Sequence, residues 1–235
     1  MLKQEAFWFR DQLKRWLPDG ASLLNIGAGT RAFRQQEQPY IHEEVIAPLL
    51  SRNVRVIHVD QKAADGVDVV GDVADPAFLA RLKAEGAQAA LCSNLLEHLT
   101  DRQAFCRALE SLLPEGGMLF LSVPHVHPYH PDPLDTLFRP GVAELVAEFP
   151  ALTMVTGDII EGETWGEVQA ALRARLGMRY WVSRLSLFIR LGMPFYKPED
   201  WRLKWERERT VHPGLRLSAA CVVLSRGSPN WDEID

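Results

Sequence analysis

Short apolar runs alternate with stretches of helical periodicity from residue 21 to about residue 123. Residues 22–26, 54–59, 67–70, 89–92 and 118–123 are each brief and mostly hydrophobic. Strands buried on both faces have this pattern, as in a parallel sheet covered by helices. Between them, residues 41–50, 76–84 and 102–113 repeat their apolar positions at helical spacing. Asp75 before Pro76 suits an N-cap followed by proline at the first helical position. Pro114-Glu115-Gly116-Gly117 stops the third of these helices and turns the chain into the next strand. Ahead of the first strand, Ala6, Phe9, Leu13, Trp16 and Leu17 recur at helical spacing and predict an amphipathic helix capping the domain.

The alternation predicts an α/β chain with a doubly wound, Rossmann-like sheet, mostly parallel, with helices on both faces. Residues 152–156 and 219–225 are expected as late strands. About 60 residues separate them, more than a hairpin needs, so a helical insertion is expected before the last strand. It comprises a helix at 167–176, a mixed helix at about 180–191, and a Trp-rich stretch around Trp201 and Trp205. One domain results: a capping helix at 1–20, a ligand-binding core at 21–125, an acceptor-side loop and helix at 126–150, and an insertion or lid at 158–215.

Composition narrows the partners. A formal net charge of −5 over 235 residues lacks the basic field of a nucleic-acid binder. Cys92, Cys106 and Cys221 are odd in number, scattered, and form no C-x-x-C, so neither a disulfide framework nor a zinc knuckle is expected and a reducing cytoplasm fits. Lys3, Glu5, Arg10, Asp11, Lys14 and Arg15 interrupt any secretory apolar core. No run reaches the roughly 18 apolar residues of a membrane span. Residues 180–195 come nearest, broken by Arg184 and Arg190, and suit at most peripheral contact with a membrane surface.

The candidate chemistry lies at the strand ends. The first strand runs into Asn25-Ile26-Gly27-Ala28-Gly29-Thr30, where glycines allow a tight turn and close approach of a ligand. Asp60, with Gln61 beside it, ends the second strand; a carboxylate there can accept both ribose hydroxyls of an adenosyl group. Gly71-Asp72-Val73 follows the third strand, and Asn94-Leu95-Leu96-Glu97-His98-Leu99 the fourth. Gly27-x-Gly29-x-x-Ala32 also fits a dinucleotide fingerprint, which keeps a nicotinamide-dependent oxidoreductase as an alternative. Against it, Asp60 lies well beyond the expected position of the acidic residue, and Pro39 delays the helix that should open on the loop.

These segments together resemble the class I S-adenosylmethionine (SAM)-dependent methyltransferases. The matching runs are Leu23–Thr30, Val59–Asp60, Gly71–Asp72, Asn94–Leu99 and Leu112–Leu119, in family order over the first 125 residues or so. The resemblance implies a seven-stranded sheet and SAM as cofactor. It implies a cofactor loop at Gly27, Ala28 and Gly29, a ribose contact at Asp60, an adenine-side contact at Asp72, and the Asn94–Glu97 segment beside the reactive methyl. Two residues depart from the pattern. Asn25 stands where the family commonly has Asp or Glu, and Thr30 replaces a third glycine. A charged hydrogen bond contributes about 1.5–3 kcal/mol, so its loss would weaken cofactor binding about ten- to a hundredfold. A SAM-sensing scaffold without catalysis is therefore a third reading. His98 is expected to shape its turn, with Thr100-Asp101 capping the next helix.

After the fifth strand, residues 123–140 hold three histidines, five prolines and two aspartates. The prolines stiffen the loop. Its pattern resembles a bacterial methyltransferase subgroup of surface-polysaccharide and related biosynthesis, which implies a small-molecule or glycan-type acceptor, methylated on a hydroxyl. A base is then required, and histidine titrates near working pH. His130 is the favoured base, with His127 and His125 as alternatives, Asp135 to orient an imidazole, and Arg139 to bind an acidic acceptor or to pair with Asp135. His125, His127, His130 and Asp132 have metal-ligand chemistry, but the intervening prolines oppose their convergence, so no metal is expected. Trp165, Trp181, Trp201 and Trp205 could stack on an acceptor or pack within a lid.

Overall fold

The computed structural model describes residues 1–130, 134–178, 182 and 211–228. The chain runs α1 (Lys3–Trp16), β1 (Ser22–Ile26), α2 (Ala47–Ser51), β2 (Arg55–Asp60), β3 (Val69–Val70), α3 (Pro76–Ala84) and β4 (Ala89–Ser93). It continues through α4 (Arg102–Leu112), β5 (Met118–Val126), α5 (Val142–Ala147), β6 (Thr153–Thr164), α6 (Trp165–Leu176) and β7 (Arg216–Ser225). The expected second helix of the 180–191 segment, and Trp181, Trp201, Trp205 and Asp132, lie outside the described residues.

All seven strands form one sheet in the order β3-β2-β1-β4-β5-β7-β6. The first five are parallel, while β7 enters between β5 and β6 antiparallel to both. A dinucleotide-binding sheet has six strands in the order 3-2-1-4-5-6. The reversed β7 departs from that topology, which the glycine loop alone could not exclude.

Side chains alternate across the sheet with period two. Leu23, Leu91, Phe120 and Val223 face α1 and α2 together with Phe9, Leu13 and Leu49. Leu24, Cys92, Leu121 and Val222 face the other layer, with Phe78, Leu109 and Phe149. Burial on both sides explains the uninterrupted apolar strands. Asp75 Oδ1 accepts the Phe78 amide of α3 at 2.8 Å and Asp101 Oδ1 the Ala104 amide of α4 at 3.0 Å, so both capping residues act as expected.

Three boundaries differ from expectation. β3 keeps only two residues, because Asp68 pairs with β2 partly through its side chain: its Oδ2 accepts the His58 amide at 2.8 Å, where a ladder would use a carbonyl. Residues 41–46 form wide helical turns before α2, which has Pro48 in its first turn. β6 continues to Thr164 instead of ending at 156, and its partner β7 starts at Arg216, so residues 158–164 belong to the sheet. No helix among the described residues is long and apolar enough to cross a membrane.

Candidate active site

At the end of β1 the chain turns on Gly27 (φ +71°) and Gly29 (φ +63°), a region that disfavours any residue with a Cβ. A Cβ at Gly27 would lie 3.0 Å from Leu95 Cδ2, so the loop also sits against the segment after β4. Asp60 closes this loop: Oδ2 accepts the Gly29 amide at 2.9 Å and Oδ1 the Lys62 amide at 3.0 Å. Gly71 donates its amide to the Asp60 carbonyl at 3.0 Å, which joins the β3 end to the same rim. There Asp72 is exposed, its Oδ1 taken by the Ala74 amide at 2.9 Å. Val73 is buried and Gln61 exposed.

Arg34, which in the sequence only opens the polar run 34–38, holds the loop. Its buried guanidinium donates to the carbonyls of Ala28 (2.9 Å), Gly29 (2.8 Å) and Gly66 (2.8 Å). Burial pushes its pKa down, against the attraction of Asp68, Asp60 and Asp65. Asn25 is buried, and its Nδ2 lies 3.0 Å from Nδ1 of His58, its register partner on β2. Burial, with Arg34 nearby, pushes His58 down to about 4. A neutral ring can then accept the Asn25 amide hydrogen.

The β4 end carries a second unforeseen group. Asn94 adopts φ +50°, which its short polar side chain tolerates. Its Nδ2 donates to Glu5 Oε1 at 2.8 Å, and the Ser122 hydroxyl donates to the same oxygen. Glu5 Oε2 accepts the Leu2 amide at 2.9 Å. This fully buried carboxylate ties α1 to the end of β4 and the middle of β5. In the sequence Glu5 reads only as a charge on a polar helix face, with no local signal of burial.

The acceptor-side loop is built around Asp135. Its carboxylate accepts from Arg139 Nη2 (2.7 Å) and Nη1 (3.1 Å), and from the amides of His130 (2.9 Å) and Leu137 (2.8 Å). Burial alone would raise its pKa, but these four donors together hold it down at about 2. Residues 134–140 are not helical, so the Asp135–Arg139 pair closes a loop instead of bridging a helical turn. Arg139 Nε also donates to the His127 carbonyl (3.3 Å) and Nη1 to that of Phe138 (3.0 Å). Arg139 is thereby committed to the loop and to Asp135, the second of the two roles expected for it, and not to an acceptor. Leu137 at φ +60° is strained, held by the hydrogen bond its amide donates to Asp135 Oδ1.

The expected histidines separate in role. His125 Nδ1 meets the Pro140 carbonyl at 2.9 Å, and His127 Nδ1 that of Pro128 at 2.9 Å. Burial and the adjacent His130 push His127 down to about 4, so it is neutral near pH 7. The rings of His127 and Trp165 lie 6.4 Å apart, edge to face. His130 turns elsewhere, toward Glu97: Nε2 is 3.7 Å from Glu97 Oε1, and His98 Nε2 is 3.6 Å from the same atom. Thr136 donates its amide (2.8 Å) and hydroxyl (2.9 Å) to the Glu97 carbonyl, which docks the loop on the β4 end. Glu97, from the segment expected beside the reactive methyl, and His98, expected to shape its turn, thus join His130 in one cluster. A groove lined by Leu13, Glu44, Pro48 and Arg52 contains none of these residues.

No family model matches the chain. A ubiquinone biosynthesis O-methyltransferase of Xanthomonas axonopodis pv. citri (strain 306) is 32% identical over 105 residues, 45% of this chain and 44% of that protein. The match thus spans less than half of the curated relative's length. Among solved structures, coclaurine N-methyltransferase bound to N-methylheliamine and SAH superposes with a TM-score of 0.57 at 16% identity, covering 94% of this chain and 69% of that one. A candidate sarcosine dimethylglycine methyltransferase from Galdieria sulphuraria gives 0.54 at 11% identity, covering 94% and 84%. The sheet order, the reversed β7 and these likenesses show that the chain has the fold of the class I SAM-dependent methyltransferases.

Proposed function

We propose that this chain is a SAM-dependent methyltransferase acting on a hydroxyl of a small molecule or glycan precursor. One observation carries the reading: a glycine loop closed on Asp60 adjoins a cluster of two histidines around the buried Glu97 at the same end of the sheet. Leu95, which packs on Gly27, is two residues from Glu97.

The residues present fit an adenosyl ligand. Gly27 and Gly29 carry no Cβ to obstruct its approach. The Asp60 carboxylate has about four lone-pair sites; two serve the Gly29 and Lys62 amides, which leaves capacity for two ribose hydroxyls. When bound, the sulfonium supplies an electrophilic methyl: its C–S bond breaks with the electron pair going to sulfur, as the acceptor oxygen forms the new C–O bond. Glu97, His98 and His130 promote loss of the hydroxyl proton. Asp135 and the Pro128 carbonyl orient His130, and Arg139 fixes Asp135. The curated relative's O-methyltransferase activity supports an oxygen acceptor. The resemblance of residues 124–139 to the polysaccharide-associated subgroup supports the glycan option.

Calorimetry with SAM, S-adenosylhomocysteine and NAD, followed by transfer of labelled methyl to a panel of phenols, catechols and sugars, tests this. Micromolar binding of the first two and labelling of an oxygen are expected. Binding of NAD in their place would overturn the assignment. Tight SAM binding with no acceptor labelled would favour the non-catalytic scaffold.

A further inference from the structure

We infer that Glu97, His98 and His130 form a binding site for a divalent first-row transition metal. The three residues bring one ligand-type atom each to within 4.8 Å of one another. The Glu97 side chain is fully buried, yet neither of its oxygens has a hydrogen-bond partner among the described residues. An ionised carboxylate removed from water without a partner is strongly unfavourable. A cation bound among the three side chains would complete it.

The imidazoles do not, as oriented. His98 Nδ1 bonds to the Leu134 carbonyl and His130 Nδ1 lies 3.1 Å from the Pro128 carbonyl. A carbonyl only accepts, so each ring carries its proton on Nδ1. In the neutral ring, each Nε2 then presents a lone pair toward Glu97. Asp135 Oδ2, 3.4 Å from His130 Nδ1, favours the same tautomer, and Arg139 Nη2, 3.4 Å from that atom, then makes no hydrogen bond to it. Three acceptors converge with no donor between them among the described residues.

A metal ion resolves this arrangement. Histidine ligands usually bind through one ring nitrogen while the other donates to a carbonyl or carboxylate, and both rings here have that outer partner. Bond lengths of about 2.0–2.2 Å and tetrahedral angles place ligand atoms roughly 3.4 Å apart. The observed 3.6 and 3.7 Å are close to that spacing. Two imidazoles and one carboxylate suit zinc, cobalt, manganese or iron better than magnesium or calcium. Three protein ligands leave a position open. Resting on the proposed methyl transfer, that position takes the acceptor's oxygen, whose hydroxyl proton passes to bulk water before the oxygen attacks the methyl. No metal is expected from the proline loop by itself; the ligands come instead from two segments, the β4 end and the loop after β5.

The full chain, stripped with a chelator, is titrated with Co²⁺ and followed by visible absorption. One equivalent giving tetrahedral or five-coordinate cobalt bands, displaced by Zn²⁺, is expected. Glu97→Gln and His98→Ala should each weaken Co²⁺ binding by at least about 100-fold, more than the loss of an outer partner usually causes, with SAM calorimetry reporting that the variants remain folded. If one variant fails to fold, the other decides. Absence of saturable Co²⁺ binding in a wild-type protein that still binds SAM overturns the site. So does binding indifferent to the substitutions. Metal binding without methyl transfer to any acceptor would retain the site and remove the proposed function. Full transfer by the stripped protein would remove the metal's role in acceptor activation.

Discussion

Arg34→Met should destabilise the protein and loosen its cofactor loop together. Methionine preserves much of the side chain's volume while removing three charge-assisted hydrogen bonds, to the carbonyls of Ala28, Gly29 and Gly66. Bonds of this type each contribute about 1.5–3 kcal/mol. The gross loss is offset by no longer burying a guanidinium, which is worth several kcal/mol in its own right. The net expectation is a loss of about 2–4 kcal/mol, within the range for a broken buried network. Urea denaturation should show a lower midpoint at unchanged slope, and calorimetry a SAM affinity reduced about tenfold, equivalent to roughly 1.4 kcal/mol. Arg34→Lys should recover less than half of either loss, since an ammonium cannot span three carbonyls as a planar fork does. The His58 pKa should rise in Arg34→Met, because Arg34 is one of the charges depressing it. A stability within about 0.5 kcal/mol of wild type, the usual range of neutral surface changes, would refute the clamp. Lost stability with unchanged SAM affinity would refute its link to the loop.

Gly71→Ala places a Cβ 2.3 Å from the Phe78 ring; overpacking of this kind costs about 1–3 kcal/mol, and an unchanged melting temperature would contradict the packing. Asp60→Ala should weaken SAM binding about ten- to a hundredfold, by the loss of charged hydrogen bonds, while circular dichroism stays native; equal affinity would remove Asp60 from the ribose role. His130→Ala should lower turnover more than cofactor affinity, and equal effects on both would count against its place at the acceptor. His58 sets an acid limit: the fold holds it neutral down to about 4, so below pH 6.5 the unfolded chain binds a proton that the native state refuses. Stability should therefore be level above pH 6.5 and fall as pH drops from 6.5 to about 4. The full shift is equivalent to about 3 kcal/mol, reduced to about 1–2 by screening of a partly exposed ring. His58→Gln should flatten that part of the profile, and an unaltered slope would refute the assignment.

The repeat of apolar residues and the placement of glycines determined most of the sheet before any coordinates. Residues 22–26 and 118–123 are apolar on both faces because helices cover both, and Gly27 and Gly29 mark a bend that positive φ requires. Asp60 was legible for the same reason, as a carboxylate at the end of an apolar run. These signals are local, carried by a few consecutive residues. What the folded chain alone decided was long-range. The reversed β7 lies between β5 and β6, although β6 precedes it in the chain. Glu5 meets Asn94 across 89 positions, and Thr136 reaches Glu97 across 39. Arg34 looks in sequence like a solvated charge, and nothing local marks Glu97 as buried, because a side chain's burial depends on where distant segments pass, and periodicity within its own element does not encode that path. The site's polar partnerships are therefore tertiary facts: each is a match of donor, acceptor and cavity that exists only once the strands have been ordered.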